Sequence, residues 1–143
     1  MRRRLEEKEE LIQRKKEIEE VRQMSPLVWA YIGDSIYELY IRMYLVQSTK
    51  LKPHYLHIKA IQYVKAGAQA EILRNIEEHL TEEEKEIMRR GRNAENHHLP
   101  KNASSTEYRY STALEALIGY LYLTKQDERL KEILKLCIEN GKM

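Results

Sequence analysis

The chain has 143 residues and a net charge of +2, with 34% charged residues, so it can build one domain around one core. Because the positive and negative charges nearly balance, a basic surface would have to come from local clustering of Lys and Arg rather than from the net charge. The single cysteine, Cys137, excludes a disulfide within the chain, and the N-terminus lacks a signal-peptide pattern, so we expect a cytoplasmic protein.

Residues 2–22 form the first predicted helix, which is rich in both signs of charge and carries only a thin apolar stripe. We expect it either to pack one edge on the domain or to be a partly detached extension. A solvated helix is the simpler interpretation, and an RNA-contacting arm is the alternative. We therefore divide the chain into a charged helical extension, 1–24, and a single domain, 25–143.

The most apolar stretch runs from Ser25 to Val46 and predicts a long helix with little of its surface in water. Ser25 is a good N-cap, and Pro26 fits the first helical position. The charges at Asp34, Glu38 and Arg42 argue against a membrane span. A carboxylate on so apolar a helix must be paired, capped or bound to a cation, so Asp34 is the first candidate functional residue.

The segment from Pro53 to Leu80 predicts two helices, or one bent helix, with a corner near Gly67 where small residues cluster. Thr81 and Glu84 then form a capping box that begins a short helix ending near Gly91. Few glycines and prolines and no alternating strand pattern occur anywhere in the chain. The fold class is therefore predicted to be all-α, a helical bundle.

Residues 93–104 lack apolar periodicity and predict a long loop, a kind of segment that is often functional. A second capping box, Ser104 with Glu107, begins a helix that extends to about Lys125. Asp127 is expected to cap the last helix, whose apolar side chains, including Cys137, face the core. The ten tyrosines stand mostly at helical core spacing, so we expect them in the core and in interfaces rather than as base-stacking platforms.

Asp34 and Glu115 stand out because each lies on an otherwise apolar helix. If the two helices pack side by side, the carboxylates could share a divalent cation, and oxygen ligands suit magnesium or manganese. Such ions promote the hydrolysis of phosphodiesters. The alternative is that each carboxylate is merely paired with a basic neighbour. Glu38 and Arg42 form an i,i+4 pair, which leaves Glu38 a lesser candidate for orienting a ligand.

The basic and polar residues between Arg89 and Arg109 predict a surface that contacts phosphates, since the arginine fork can donate two hydrogen bonds to a phosphate. A solvated basic face is an equally good interpretation on charge alone. The candidate RNA-binding residues are Arg90, Arg92, Asn93, His97, Lys101 and Arg109.

Two motifs resemble the ribonuclease III family. Tyr31–Ile36 reads YIGDSI and is similar to the signature helix of that family, roughly E-x-x-E-F-L-G-D-[SA]. Leu114–Gly119 reads LEALIG and is similar to the second motif, roughly D-x-x-E-A-[LI]-I-G. The resemblance spans about residues 25–140 and implies a ribonuclease III-like endonuclease domain.

Three positions depart from the family pattern: Leu27 and Ala30 replace the signature glutamates, and Thr112 replaces the aspartate of the second motif. Only Asp34 and Glu115 therefore carry over as catalytic residues and metal ligands. The chain also has no room for the double-stranded-RNA-binding domain of ordinary members. Together with Lys65–Ala70, Arg90–Ala94 and Arg109–Ala113, these features resemble the Mini-III branch, which consists of a catalytic domain alone.

The resemblance implies a Mg²⁺-dependent endoribonuclease, with Mn²⁺ as an alternative ion, that cuts double-stranded RNA and acts in the maturation of precursor 23S ribosomal RNA. It also implies a homodimer, whose two-fold symmetry matches the local dyad of a duplex, and no membrane partner. Because three acidic positions are changed, a non-catalytic RNA-binding dimer that keeps the nuclease fold is the alternative.

Overall fold

The computed structural model describes residues 1–94 and 105–141, and these segments contain seven α-helices, one 3-10 helix and no strand. This confirms the predicted all-α class. In chain order the elements are α1 (Arg2–Arg22), α2 (Pro26–Ser48), α3 (Pro53–Val64), α4 (Ala66–Ile76), the 3-10 helix Glu77–His79, α5 (Glu82–Asn93), α6 (Ser105–Leu123) and α7 (Asp127–Glu139).

Helix α6 lies at the centre of the bundle and packs against α2, α4, α5 and α7. Ten residues of α6 between Ser111 and Leu121 are buried, so this part of the helix is covered on almost every side. Small side chains allow the close packing, since a Cβ on Gly91 of α5 would lie only 2.7 Å from the Cβ of Ala116. The core forms where the apolar faces of the surrounding helices meet α6.

Helix α2 differs from the prediction that little of it is in water. One face is buried, with Trp29, Tyr37 and Ile41 fully covered against the core. The opposite face is also apolar and is exposed to solvent. Its exposed large side chains are Val28, Tyr31, Leu39, Met43 and Val46. Apolar periodicity predicts which residues are helical, but it does not tell whether the same chain covers both faces of the helix.

Some tyrosines are buried in the core and others are exposed to solvent. Tyr37, Tyr63 and Tyr120 are buried as predicted, whereas Tyr31, Tyr55 and Tyr122 are more than half exposed. The prediction of a core position is confirmed for the three buried tyrosines, and the interface position predicted for the others stays a prediction.

The helix ends follow local capping rules. Ser25 accepts a hydrogen bond from the backbone N–H of Leu27, and Thr81 and Glu84 form the predicted capping box. Asp127 was expected to be the cap of α7, but it is the first helical residue and Gln126 holds the cap position. The predicted corner near Gly67 is confirmed: α3 and α4 meet at Lys65, where the backbone is extended. Ser104 lies outside the described residues.

Among the described residues, helix α1 contacts the rest of the chain through its C-terminal turns. The Trp29 indole N–H donates to the carbonyl oxygen of Val21 at 2.8 Å, and Lys125 pairs with Glu17 at 3.5 Å. Val21 is the only buried residue of the helix, and the preceding turns are exposed. The last turns of α1 therefore match the predicted helix that packs one edge on the domain.

No helix in residues 1–94 and 105–141 is both long and apolar enough to cross a membrane.

Candidate active site

A close crossing of α2 and α6 positions both candidate carboxylates. A Cβ built on Gly33 would overlap the carbonyl oxygen of Glu115, and a Cβ built on Gly119 would overlap that of Trp29. Only glycine permits two helix backbones to approach this closely. Asp34 follows Gly33 directly, and the crossing brings its side chain near Glu115. The condition set in the sequence analysis, that the two helices pack side by side, is therefore met.

The carboxyl group of Asp34 lies close enough to that of Glu115 to act on its ionisation. Burial raises the pKa of Glu115 to about 9, and the hydrogen bond and negative charge of Asp34 add to this rise. Asp34 is exposed, whereas Glu115 is half-buried, so the pair opens toward solvent on the Asp34 side. Two carboxylates this close repel each other when both are ionised, and a cation between them would relieve the repulsion.

Gln69 of α4 is a third member of the site that sequence reasoning did not assign. Its side chain is 2% exposed and lies close enough to Glu115 to oppose part of the rise in the pKa of that carboxyl group. Ser111, one turn before Glu115 on α6, donates its hydroxyl to Oε1 of Gln69 at 3.3 Å. The signal in the sequence was weak: a lone amide on the face of α4 that also carries Ile72, Leu73 and Ile76.

Glu38 is the nearest further acid along α2. It accepts a 2.9 Å hydrogen bond from Arg42, as its i,i+4 spacing predicts, and its negative charge also raises the pKa of Glu115. The pair is largely exposed, so its contribution to stability is small. Glu38 is therefore close enough to act on the site electrostatically while Arg42 holds its side chain.

The donor set fits a hard divalent cation that keeps several water molecules. The two carboxylates supply oxygen ligands, which magnesium and manganese prefer. Within the described residues no three His, Cys, Asp or Glu side chains converge on one point. The described part of the chain offers these two carboxylates, and water or substrate oxygens would complete the coordination. This is the binding mode typical of Mg²⁺.

The residues proposed to contact RNA lie in different environments in the structure. Arg92 and Asn93 lie side by side at the C-terminal end of α5, and Arg109 is exposed in the second turn of α6. Arg90 instead points into the protein, with its guanidinium 4.6 Å from the centre of the Trp29 ring and bonded to the carbonyl oxygen of Arg22. His97 and Lys101 lie outside the described residues.

Comparison with known families identifies the fold. The Ribonuclease III domain profile matches residues 27–126, which cover α2 to α6 and both carboxylates. The chain belongs to the ribonuclease III family. Within that family it is 49% identical over 121 residues to the Mini-ribonuclease 3 of Clostridium tetani, covering 84% of this chain and 80% of the relative. It is 49% identical over 120 residues to the Mini-ribonuclease 3 of Enterococcus faecalis, covering 82% and 91%.

A solved structure supports the same placement. The crystal structure of protein FN1578 from Fusobacterium nucleatum superposes with a TM-score of 0.74 at 36% identity, covering 83% of this chain and 95% of that one. The all-α ribonuclease III fold predicted from the two motifs is thereby confirmed.

The three departures from the ribonuclease III pattern have structural roles in this chain. Ala30 is buried in the core, and Leu27 is half-buried in the first turn of α2. Thr112 is buried and donates its hydroxyl to the carbonyl oxygen of Tyr108 at 2.9 Å within its own helix. Its hydroxyl is therefore engaged by the backbone, and the carboxylate pair remains Asp34 with Glu115.

Proposed function

We propose that this chain is a Mg²⁺-dependent endoribonuclease that hydrolyses phosphodiester bonds in double-stranded RNA, acting as a cytoplasmic homodimer in the maturation of precursor 23S ribosomal RNA. Endoribonuclease activity on double-stranded RNA follows from its membership of the ribonuclease III family. Manganese is proposed as the alternative ion. Residues 25–143 are proposed as the catalytic domain and residues 1–24 as an extension.

The observation that carries the proposal is the convergence of Asp34 and Glu115 at the glycine crossing of α2 and α6. A pseudo-enzyme would have no need to keep two carboxylates in contact, because the pair raises the pKa of Glu115 and destabilises the ionised form. The cost of keeping like charges together is explained if the pair binds a cation during function.

We assign roles to the residues as follows. Asp34, which is exposed, would hold the ion on the substrate side, and Glu115 would hold it from the protein side. A bound divalent cation supplies Lewis acidity and an activated water for in-line attack on a phosphodiester. Gly33 and Gly119 keep the two helix backbones close enough for both carboxylates to reach one point.

We propose that the C-terminal end of α5 and the beginning of α6 form the RNA-binding surface. Arg92, Asn93 and Arg109 would donate hydrogen bonds to backbone phosphates, which suits a duplex recognised by shape and backbone rather than by sequence. His97 and Lys101 complete the proposed set. Arg90 is the weakest member, because its guanidinium is already engaged by Trp29 and Arg22.

The homodimer is supported by the exposed apolar face of α2. Five large apolar side chains of α2, together with Tyr55, Ile58 and Ile61 of α3, are exposed. Apolar patches of this kind mark protein–protein interfaces, and a two-fold dimer would place the same patch on both partners.

Cleavage of a long double-stranded RNA with Mg²⁺ tests the function directly. We expect the wild type to cut the duplex and to leave single-stranded RNA of the same sequence intact. Asp34→Asn keeps the size of the side chain and removes its charge, so we expect this variant to bind the duplex with at most a few-fold change and not to cut it.

Two outcomes would contradict the proposal. If the wild type binds the duplex and does not cut it with either Mg²⁺ or Mn²⁺, the chain is a non-catalytic RNA-binding protein. If Asp34→Asn cuts as fast as the wild type, the carboxylate pair is structural and the active site lies elsewhere. The substrate in the cell is tested separately, by whether loss of the protein leaves 23S ribosomal RNA ends untrimmed.

A further inference from the structure

We infer that Arg90 is a positioning residue, which holds Trp29 and the last turn of α1 in place and thereby supports the crossing of α2 and α6. The inference rests on the proposed function, because it assigns Arg90 a task behind the carboxylate site instead of a contact with RNA. It also gives a task to the last turn of α1, which lies outside the family match at residues 27–126.

The guanidinium of Arg90 is engaged in two directions. Its Cζ atom lies 4.6 Å from the centre of the Trp29 ring, a distance at which a cation is attracted to the face of an aromatic ring. Nη1 of the same side chain donates to the carbonyl oxygen of Arg22 at 3.0 Å. An arginine can stack on a ring and donate from its edge at the same time, because its donors lie in the plane of the guanidinium.

Trp29 connects this contact to the helix crossing. The side chain is fully buried, its indole N–H donates to the carbonyl oxygen of Val21 at 2.8 Å, and its ring meets that of Tyr120 edge-on at 5.1 Å between centroids. The backbone carbonyl oxygen of Trp29 lies at the crossing itself, where a Cβ on Gly119 would overlap it. A displacement of Trp29 therefore changes the packing of α2 on α6 directly.

The last turn of α1 supplies the acceptors for this arrangement. The final carbonyl groups of a helix lack partners within the helix, and positive charge is favoured beside them. The carbonyl group of Val21 accepts from the indole of Trp29. That of Arg22 accepts from Arg90, and the Arg22 side chain lies 3.6 Å from a carboxylate oxygen of Glu83 on α5. The end of α1 is therefore bound to α2 and α5 at once, and Arg90 joins the two.

Two other roles for Arg90 lead to different measurements. As an RNA contact it would neutralise a phosphate, so its loss would weaken duplex binding and reduce the salt slope by about 1. As a purely structural contact, its loss would lower the melting temperature and leave kcat of the folded protein unchanged. As a positioning residue, its loss would lower kcat in the folded protein and leave duplex affinity unchanged.

The test compares Arg90→Gln and Arg90→Lys in the full chain. We expect both variants to leave the duplex Kd unchanged and to lower kcat about 10- to 100-fold, since a shift of about 1 Å at the site is enough for the larger loss. Lysine should fail as glutamine does, because a point charge can contact a phosphate but does not reproduce the stacked fork.

Three results of this comparison overturn the inference. Recovery of activity in Arg90→Lys, or weaker duplex binding with unchanged kcat, would show that Arg90 contacts a phosphate. A lower melting temperature with wild-type kcat in the folded variant would show a purely structural role.

An independent readout uses Trp29, the one tryptophan of the chain, and does not depend on catalysis. In Arg90→Gln the indole loses the contact on its face and the last turn of α1 loses a bond. We therefore expect the Trp29 fluorescence to shift to longer wavelength and trypsin to cleave after Arg22 several-fold faster. Arg89→Gln removes an exposed arginine of the same helix and should leave both quantities unchanged. If Arg90→Gln behaves like this control, the inference is wrong.

Glu83→Gln provides a second variant if Arg90→Gln folds poorly. It leaves Arg90 in place and weakens the hold of α5 on Arg22, so trypsin cleavage after Arg22 should again be faster than in the wild type. Wild-type cleavage in this variant would contradict the inference. If the wild type cuts no duplex RNA while both readouts respond to Arg90→Gln, the proposed function fails and the hold of Arg90 on Trp29 and α1 is confirmed.

Discussion

Gly33→Ala is the substitution that challenges the architecture of the site most severely. At an ordinary helical position this change stabilises a protein by up to about 1 kcal/mol, because alanine has the better helix propensity. At Gly33 the new Cβ would overlap the carbonyl oxygen of Glu115 and lie 2.9 Å from the backbone nitrogen of Gly119. Both neighbours are backbone atoms of a buried helix, so neither can move aside alone.

The magnitude follows from the overlap. To reach normal van der Waals contact of about 3.5 Å, α2 and α6 would have to separate by roughly 2 Å. Overpacking of this kind typically costs about 1–3 kcal/mol, which exceeds the gain in helix propensity. A shift of about 1 Å in catalytic groups can reduce the rate about 100-fold. We therefore expect a lower free energy of unfolding and a loss of at least about 100-fold in kcat.

The assay combines urea unfolding with single-turnover cleavage of a duplex RNA. Gly67→Ala is the matched control, because its Cβ would meet only the Glu107 carboxylate at 3.5 Å, an ordinary contact distance. This control should be within about 1 kcal/mol of the wild type in stability. A Gly33→Ala variant with the stability and cleavage rate of Gly67→Ala would refute the close helix crossing as the origin of the site.

Three further predictions concern charge and assembly. With a chelator present, the pKa of Glu115 is about 9 in the folded chain and close to its ordinary 4.5 in the unfolded chain. The folded chain therefore binds the extra proton between these values, so the free energy of unfolding should fall as pH rises through this range. Melting temperatures at pH 5.5 and 8.5 should therefore differ more for wild type than for Glu115→Gln, and parallel behaviour would contradict the assigned environment. If the proposed dimer forms through the exposed face of α2, Leu39→Glu should convert it to a monomer, as measured by light scattering, whereas Ile12→Glu at a similarly exposed position on α1 should not. Arg109→Glu should weaken duplex binding and flatten its salt dependence, and an unchanged salt slope would remove Arg109 from the RNA surface.

Much of the fold follows from local rules that the sequence displays. Ser25 and Thr81 set the beginnings of α2 and α5 through their side chains, so these boundaries are predictable from the chain alone. Asp34 and Glu115 were recognisable as carboxylates on apolar helices. Their contact depends on a crossing between helices far apart in sequence, and the signal for that crossing was no more than a glycine beside one acid.

Two features were beyond sequence reasoning for physical reasons. Helix α2 is apolar around most of its circumference, and periodicity does not distinguish a face covered by the same chain from one that awaits a partner. Gln69 is a polar residue among alanines, and nothing local shows that α4 turns it toward Glu115. Its 3.3 Å hydrogen bond with Ser111 joins α4 to α6 and exists only in the folded chain.

The central claim is that Asp34 and Glu115 act as one unit that holds the catalytic ion. The most direct measurement is a comparison of single-turnover cleavage rates for Asp34→Asn, Glu115→Gln and the double variant under saturating duplex RNA and Mg²⁺. Residues that act as a unit show strongly non-additive effects, so each single variant should lose about as much activity as the double variant. A near wild-type rate in either single variant, or losses that multiply in the double variant, would contradict the claim.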